Sequence, residues 1–259
     1  MIAESLAGIG LIGCAVMYSR DRSARRKLRQ QGPSARWPIP SIGLDELDPV
    51  FTPGVFGPTL ATEVVFVGRG SLIVPGGTSD SEAWILSVLA KRAEHLFEFG
   101  TCTGKTAYLW SRNAAPGARV VTLTLAPSQR DAYVPAAGDD EIDTRYARDE
   151  SAFCEFLYSN TPAVESITQL FGDSKQFDDM PWQNWADLVF VDGSHARSYV
   201  ESDSAKALRI VRPGGLVLWH DYAGRRHARG VFDALNALAG SLPLRHVRGT
   251  TFVAYRRPM

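Results

Sequence analysis

A glycine-bearing loop between an apolar run and a helix start constrains this chain more than any other feature. Residues 98–106 read Glu-Phe-Gly-Thr-Cys-Thr-Gly-Lys-Thr and continue the apolar run at 96–99. Glycine tolerates positive φ and has no Cβ, so Gly100 and Gly104 allow backbone N–H groups to approach a ligand at the helix start. Glu98 adds a charged acceptor. The pattern predicts a nucleoside-like cofactor at the carboxyl edge of a parallel sheet.

Composition limits the class of protein. With 259 residues, of which 45% are hydrophobic, the chain suits one main α/β domain with extensions. Its 28 basic and 28 acidic residues cancel, so nothing points to nucleic acid, and a small-molecule substrate is expected. Cys14, Cys102 and Cys154 are too far apart for a zinc motif, and three cysteines favour a reducing, cytoplasmic location over a disulfide framework.

The N-terminal region, residues 1–30, combines an apolar helix with a basic flank. Residues 6–18 are almost wholly apolar, and six basic residues follow between positions 20 and 29. A spanning helix needs roughly 20 apolar residues, and a signal peptide carries its charge before the apolar run. Two interpretations stay open: membrane association through residues 2–18, with the basic flank on the cytoplasmic side, or a simple N-terminal helix.

Residues 31–78 form a lead-in rich in proline and glycine, which resist regular structure. Short β-branched runs at 63–67 and 71–74 predict a hairpin within it. The main domain is expected over residues 79–259. Ser79 and Glu82 have the spacing of a capping box, which predicts a helix from about residue 80 to Ala93.

Strands and helices then alternate, which predicts a parallel sheet with right-handed crossovers. We expect an α/β, Rossmann-like fold whose mostly parallel, seven-stranded sheet carries helices on both faces and ends in an antiparallel hairpin. Residues 126–148 are interpreted as an irregular insertion, either a substrate lid or a solvated loop. The predicted strands are 96–99, 119–123, 167–171, 188–191, 216–219, 244–247 and 251–255, and the predicted helices after the first are 105–112, 150–158, 200–211 and 228–238.

Polar side chains stand at or just after the ends of the predicted strands. Since ligands bind at this edge of an open α/β sheet, we expect one shared site. Oxygen ligands suit Mg²⁺ or Mn²⁺, so Asp192 and Asp221 are candidate metal ligands, with His220 as a nitrogen ligand. His195 titrates near neutrality and suits a general base. The alternative is that Asp192 and His220 only cap loops.

Four segments together resemble class I S-adenosylmethionine-dependent methyltransferases. They are residues 97–106, Phe-Gly-Asp-Ser at 171–174, Asp-Leu-Val-Phe-Val-Asp-Gly-Ser-His at 187–195, and Arg-Pro-Gly-Gly-Leu at 212–216 followed by His-Asp-Tyr at 220–222. The resemblance extends from residue 79 to the C-terminus. The subgroup it most resembles contains cephalosporin-hydroxylase-type and macrolide-sugar O-methyltransferase domains, in which an Asp-Gly-Ser-His motif sits beside a bound metal.

The resemblance implies O-methylation of a small hydroxyl-bearing metabolite, with His195 deprotonating the acceptor. Asp173 would hydrogen-bond the adenine amino group of S-adenosylmethionine, assisted by Ser174. The metal, Mg²⁺ or Mn²⁺, would be held by Asp192, His220 and Asp221. The residues that the resemblance assigns to cofactor binding are Glu98, Gly100, Thr101, Gly104, Thr124, Asp173, Ser174 and Asp192.

Two positions depart from the family pattern. Thr124 ends the second strand where the family usually has an acid for the ribose hydroxyls, and His220 replaces an acid beside the metal. A nicotinamide dehydrogenase is disfavoured because Gly-x-Gly-x-x-Gly and the acid that follows it are absent. Because Thr124 stands where the acid is expected, a methyltransferase-like scaffold that binds a ligand without turnover remains an alternative. His195 and two aspartates favour catalysis over that alternative. The sequence carries no signal for oligomeric state.

Overall fold

The computed structural model describes residues 38–74 and 78–259. The N-terminal region 1–30, with its apolar run, lies outside the described residues, so membrane association through residues 2–18 stays a prediction. Within the described ranges, no helix is both long and apolar enough to cross a membrane.

The described chain forms an eight-stranded sheet in the order β1-β7-β8-β6-β5-β2-β3-β4. The pairs among β2 to β6 are parallel, whereas β8 is antiparallel to both β6 and β7. This confirms the α/β prediction and its C-terminal hairpin. The strands are β1 (Ser41–Ile42), β2 (His95–Phe99), β3 (Arg119–Thr124), β4 (Ile167–Phe171), β5 (Ala186–Val191), β6 (Val211–Trp219), β7 (Arg245–Val247) and β8 (Val253–Arg256).

The sheet has one strand more than predicted because the lead-in contributes β1. Its two residues pair in parallel with β7, in the register Ser41 to His246. A two-residue strand leaves no periodicity in the sequence, so its pairing partner alone defines it. Residues 41 and 42 therefore belong to the sheet of the main domain.

Helices pack against the sheet. The helices are α1 (Leu44–Leu47), α2 (Asp80–Ala90), α3 (Lys105–Asn113), α4 (Glu141–Glu150), α5 (Arg197–Ile210) and α6 (Arg229–Leu238). The capping box that begins α2 is confirmed: the Ser79 hydroxyl accepts from the Glu82 N–H, and the Glu82 carboxylate accepts from the Ser79 N–H. Strands β2 and β5 are almost entirely buried, as expected for parallel strands covered on both faces.

The predicted hairpin at 63–67 and 71–74 is wrong, because neither run forms a strand. Side chains from the main domain hold this segment instead. Asp80 accepts hydrogen bonds from the N–H groups of Arg69 (2.7 Å) and Gly70 (3.0 Å). The side-chain amide of Asn113 accepts a hydrogen bond from the N–H of Val65 and donates one to its carbonyl oxygen. A β-branched run without a partner strand thus follows the surface as a loop.

The predicted helix at 150–158 is also wrong, since helix α4 ends where it was expected to begin. Asp140 caps α4 by accepting from the Ile142 N–H at 2.9 Å, and two acidic residues stand in its first turn. The acidic cluster that suggested an irregular insertion is therefore a helix start. The following segment turns back so that Phe156 and Tyr158 pack against Gly104.

The turn from β2 into α3 depends on two glycines. Gly100 has φ +97°, and a Cβ there would overlap the backbone carbonyl of Asp192 at the end of β5. Gly104 has φ +77°, and its Cβ would meet the Tyr158 ring at 2.7 Å. Both positions combine left-handed backbone with close packing, so no other residue type fits.

We expect Gly100→Ala to prevent folding, because the new methyl group collides with backbone that cannot move without separating β2 from β5. The matched control is Gly117→Ala, where φ is +85° but nothing lies within 4 Å of the Cβ. That variant should lose only about 1–2 kcal/mol of unfolding free energy, from backbone strain. Urea denaturation tests both variants: Gly100→Ala should show no cooperative transition, and a folded Gly100→Ala with the same loss as Gly117→Ala would contradict the steric argument.

Candidate active site

A cleft with about 550 Å³ of empty space opens at the carboxyl ends of the central strands. Five of the residues predicted to bind a cofactor line it: Gly100, Thr124, Asp173, Ser174 and Asp192. They come from four separate strand ends and are brought together because parallel strands end at one edge.

The other three predicted cofactor residues, Glu98, Thr101 and Gly104, are not in the lining of this cleft. Glu98 is 1% exposed, and its carboxyl accepts a hydrogen bond from the Thr122 hydroxyl at 2.6 Å. Burial raises the pKa of Glu98 to about 8. The Thr101 hydroxyl lies 2.7 Å from that of Thr122, so both side chains belong to a buried polar network behind the glycine loop.

The predicted metal ligands and the predicted base form a second cluster, which meets the cleft at Asp192. The Nδ1 atom of His220 lies 2.8 Å from Asp192 Oδ1 and 3.2 Å from Asp221 Oδ2. The Nε2 atom of His195 lies 2.7 Å from the same Asp221 oxygen. Asp221 holds this position with a left-handed backbone, φ +59°, a conformation that aspartate tolerates better than most residues.

The charges in this cluster depend on one another. Burial alone would suppress the imidazolium form of His220, but Asp192 and Asp221 outweigh it and hold the pKa of His220 well above its ordinary value. Burial likewise opposes ionisation of Asp221, yet the two histidines hold its pKa far below the usual range. The pKa of Asp192 is raised, chiefly by burial.

One ligand atom each from Asp192, His220 and Asp221 lie within 4.8 Å of one another. Two carboxylates and an imidazole form a donor set that suits a divalent cation such as Mn²⁺. The spacings of 2.8 and 3.2 Å between donor atoms are those of neighbouring ligands on one ion. The residues present therefore fit a metal, including His220 where the family pattern has an acid.

An aromatic pair that sequence reasoning missed forms another wall of the cleft. The rings of Tyr133 and Tyr199 stack with centroids 4.4 Å apart. The Tyr133 hydroxyl lies 2.5 Å from Ser194 Oγ, and the Tyr199 hydroxyl donates to Asp173 at 3.3 Å. These contacts connect the insertion at residues 126–148 to the segment after β4 and to the start of α5.

Two further acidic residues line the cleft, and no motif in the sequence pointed to either. Burial raises the pKa of Glu150, at the end of α4, to about 7, and that of Asp203, on α5, to about 7. Glu150 falls in a segment whose helix was placed too late, while Asp203 lies in a helix interior. Cys102 also lines the cleft, but burial raises the pKa of its thiol to about 12, so no thiolate is available.

Comparison with known proteins identifies the domain. Residues 97–222 match the Methyltransf_24 family model, described as a methyltransferase domain. Fold, glycine loop and match agree: residues 97–222 form a class I, Rossmann-like methyltransferase domain. A search of curated proteins finds no significant match.

Three solved structures are similar to this chain, and the first of them shares its fold. The methyltransferase PaMTH1 of Podospora anserina, bound to S-adenosylhomocysteine, is 14% identical, covers 71% of this chain and 80% of its own, and has a TM-score of 0.50. The O-methyltransferase TomG of Streptomyces achromogenes, from tomaymycin synthesis and solved with S-adenosylmethionine, is 20% identical, with 70% and 82% covered and a TM-score of 0.46. An O-methyltransferase of Bacillus cereus with S-adenosylhomocysteine is 16% identical, with 71% and 84% covered and a TM-score of 0.46.

The protonation of Glu98 can be tested through stability. Its carboxyl holds a proton more tightly when folded, with pKa about 8, than when unfolded, at the ordinary 4.5. Folding of the parent protein therefore becomes less favourable as pH rises from about 4.5 to 8, a loss that Glu98→Gln does not share. We expect the unfolding free energy of Glu98→Gln, relative to the parent, to increase from pH 5 to pH 8.

Urea denaturation of both proteins at several pH values measures this difference. The same substitution at Glu63, which is exposed, is the matched control. A difference between Glu98→Gln and the parent that does not change with pH would show that Glu98 is ionised inside the fold.

Proposed function

We propose that this enzyme transfers the methyl group of S-adenosylmethionine to a hydroxyl oxygen of a small metabolite, with His195 as general base and Mg²⁺ or Mn²⁺ at Asp192, His220 and Asp221. The observation that carries the proposal is the 2.7 Å contact between His195 and Asp221 beside Asp192. Asp192 lines the cleft as well as contacting His220, so the proposed cofactor site and the proposed metal site share one residue.

The cleft supports the cofactor assignment through its polar atoms. Asp173 follows β4, where the N–H of Lys175 donates to Oδ1 and Tyr199 donates to Oδ2, and each carboxylate oxygen keeps a lone pair for an adenine amino group. Gly100 has no side chain to exclude the methionine portion. Thr124 lines the cleft where the ribose hydroxyls are expected.

His195 must be neutral to remove a proton. Burial lowers the pKa of its imidazole, but the hydrogen bond and charge of Asp221, with help from Glu150 and Asp192, raise it to about 9. Asp221 also fixes the ring orientation. A bound divalent cation would lower the pKa of the acceptor hydroxyl and of the side chains beside the ion. Most of the rate enhancement would come from holding donor and acceptor in near-attack geometry.

The acceptor would reach His195 beneath helix α4. The Tyr146 ring lies with its centroid 6.3 Å from that of His195, so an aromatic side chain of the insertion stands over the base. This supports the lid interpretation of residues 126–148. A scaffold that binds without turnover would have no use for the pair of His195 and Asp221.

Replacing the base tests the proposal. We expect His195→Ala to lower turnover by about 10²–10⁴-fold, the usual contribution of a general base, with affinity for S-adenosylhomocysteine unchanged. Turnover of the parent should rise with pH as His195 loses its proton, because Asp221 raises the pKa of the imidazole and only the neutral form accepts a proton. The assay follows S-adenosylhomocysteine release with a panel of phenols, vicinal diols and sugars.

The matched control is His227→Ala, which removes an exposed histidine and should leave turnover unchanged. Equal turnover in His195→Ala and the parent would remove His195 from the mechanism. Failure of the parent to bind S-adenosylhomocysteine by calorimetry would contradict the cofactor assignment itself.

The residue at the end of β3 gives a second test. An acid at position 124 would supply the charged acceptor that the ribose hydroxyls lack. We expect Thr124→Glu to bind S-adenosylhomocysteine about tenfold more tightly, since a hydrogen bond to a charged group contributes about 1.5–3 kcal/mol. Thr124→Gln, of the same size without the charge, is the control. Weaker binding by Thr124→Glu would mean that another group already serves the ribose.

A further inference from the structure

Glu82 is a buried acid on helix α2 that belongs to no predicted site. It is 4% exposed, and both carboxylate oxygens are held by hydrogen bonds. One oxygen, Oε1, accepts from the N–H of Thr251 at 2.7 Å and from its hydroxyl at 2.9 Å. The other, Oε2, accepts from the hydroxyl of Ser79 at 2.6 Å and from its N–H at 3.1 Å. The carboxylate is therefore fixed in place by four donors.

The same carboxylate faces His220 from the side opposite the metal ligands. Glu82 Oε2 lies 3.5 Å from His220 Nε2. That nitrogen is buried and has no hydrogen bond within the described residues. The other ring nitrogen, Nδ1, is the one that faces Asp192 and Asp221. The imidazole thus lies between one carboxylate and a pair of carboxylates.

We infer that Glu82 is a positioning residue that keeps the proton of neutral His220 on Nε2, so that the lone pair of Nδ1 is free to bind a divalent cation with Asp192 and Asp221. Histidine ligands in metal sites commonly donate their second N–H to a carboxylate, which fixes the tautomer and increases the basicity of the ligating nitrogen. The inference rests on the metal part of the proposed function.

This role accounts for an acid that capping alone does not require. A capping box is satisfied by a glutamine as well as by a glutamate, and two of the four donors to Glu82 come from Thr251, far along the chain. It also accounts for histidine at position 220. A neutral imidazole brings no negative charge to the cation. The Glu82 carboxylate, which faces the other nitrogen of the same ring, carries one.

The test measures the affinity of the full chain for Mn²⁺ in two ways: by the electron paramagnetic resonance signal of the ion that remains free, and by calorimetry. We expect the parent to bind one Mn²⁺ and Glu82→Gln to bind it about 10–100-fold more weakly, the usual effect of removing such a carboxylate. The glutamine can present its amide N–H₂ to Nε2, which favours the tautomer whose Nδ1 carries the proton.

Glu46→Gln is the matched control, because it makes the same change in the capping box of α1, where the glutamate is exposed and accepts, among the described residues, only from the N–H of Gly43. Its Mn²⁺ affinity should equal that of the parent. Glu82→Gln binding Mn²⁺ as tightly as Glu46→Gln would overturn the inference. So would a parent that binds no Mn²⁺, and in that case retained binding of S-adenosylhomocysteine would leave methyl transfer standing.

Binding of S-adenosylhomocysteine also reports whether each variant is folded. If Glu82→Gln does not fold, Glu82→Asp takes its place, since it keeps the charge and the capping acceptor but withdraws the carboxylate from His220 by one methylene. The same fall of at least tenfold is then expected. A folded Glu82→Asp with the Mn²⁺ affinity of the parent would overturn the inference.

Discussion

The close approach of β2 and β5 at their carboxyl ends is the constraint on which the site depends. The Asp192 N–H donates to the Phe99 carbonyl at 2.8 Å, which extends the parallel ladder to the last residue before the loops. Gly100 then turns away directly against the Asp192 carbonyl. Because there is no room for a side chain between them, the glycine loop and the first metal-ligand candidate occupy fixed positions relative to each other.

Buried charge is the second constraint. Asp192, Asp221 and Glu82 surround His220; Glu82 is buried, whereas the side chains of Asp192 and Asp221 are partly exposed. Isolated buried carboxylates are strongly unfavourable, so such a group persists only when cations or donors compensate it. Here the two histidines and the donors from Ser79 and Thr251 do so. Removing one member of this cluster leaves the charges of the others uncompensated. Removing an apolar side chain from a hydrophobic core has no such effect on its neighbours.

The sequence predicted the parts of the site that follow from strand ends. Asp173, Asp192 and His220 each follow an apolar run, and the topology of a parallel sheet brings such residues together without further information. It did not predict Glu82 beside His220, because that contact joins a helix start to a strand end and is secured by Thr251, 169 positions away. Glu150 was missed for a local reason, since its helix begins at an acidic cap that resembles a loop. The burial of Glu98 behind the glycine loop is likewise a matter of packing.

Strand β1 is the shortest element of the sheet, yet it determines how one edge meets the solvent. Without it, the outer backbone groups of β7 would be unpaired and open to another extended chain. Residues 40 and 42 accept hydrogen bonds from the N–H groups of His246 and Arg248 at 2.9 and 3.0 Å, which occupies those donors. Exposed strand edges are sites of intermolecular pairing. The lead-in thereby limits aggregation through this edge, a benefit to the enzyme in crowded solution that is independent of its chemistry.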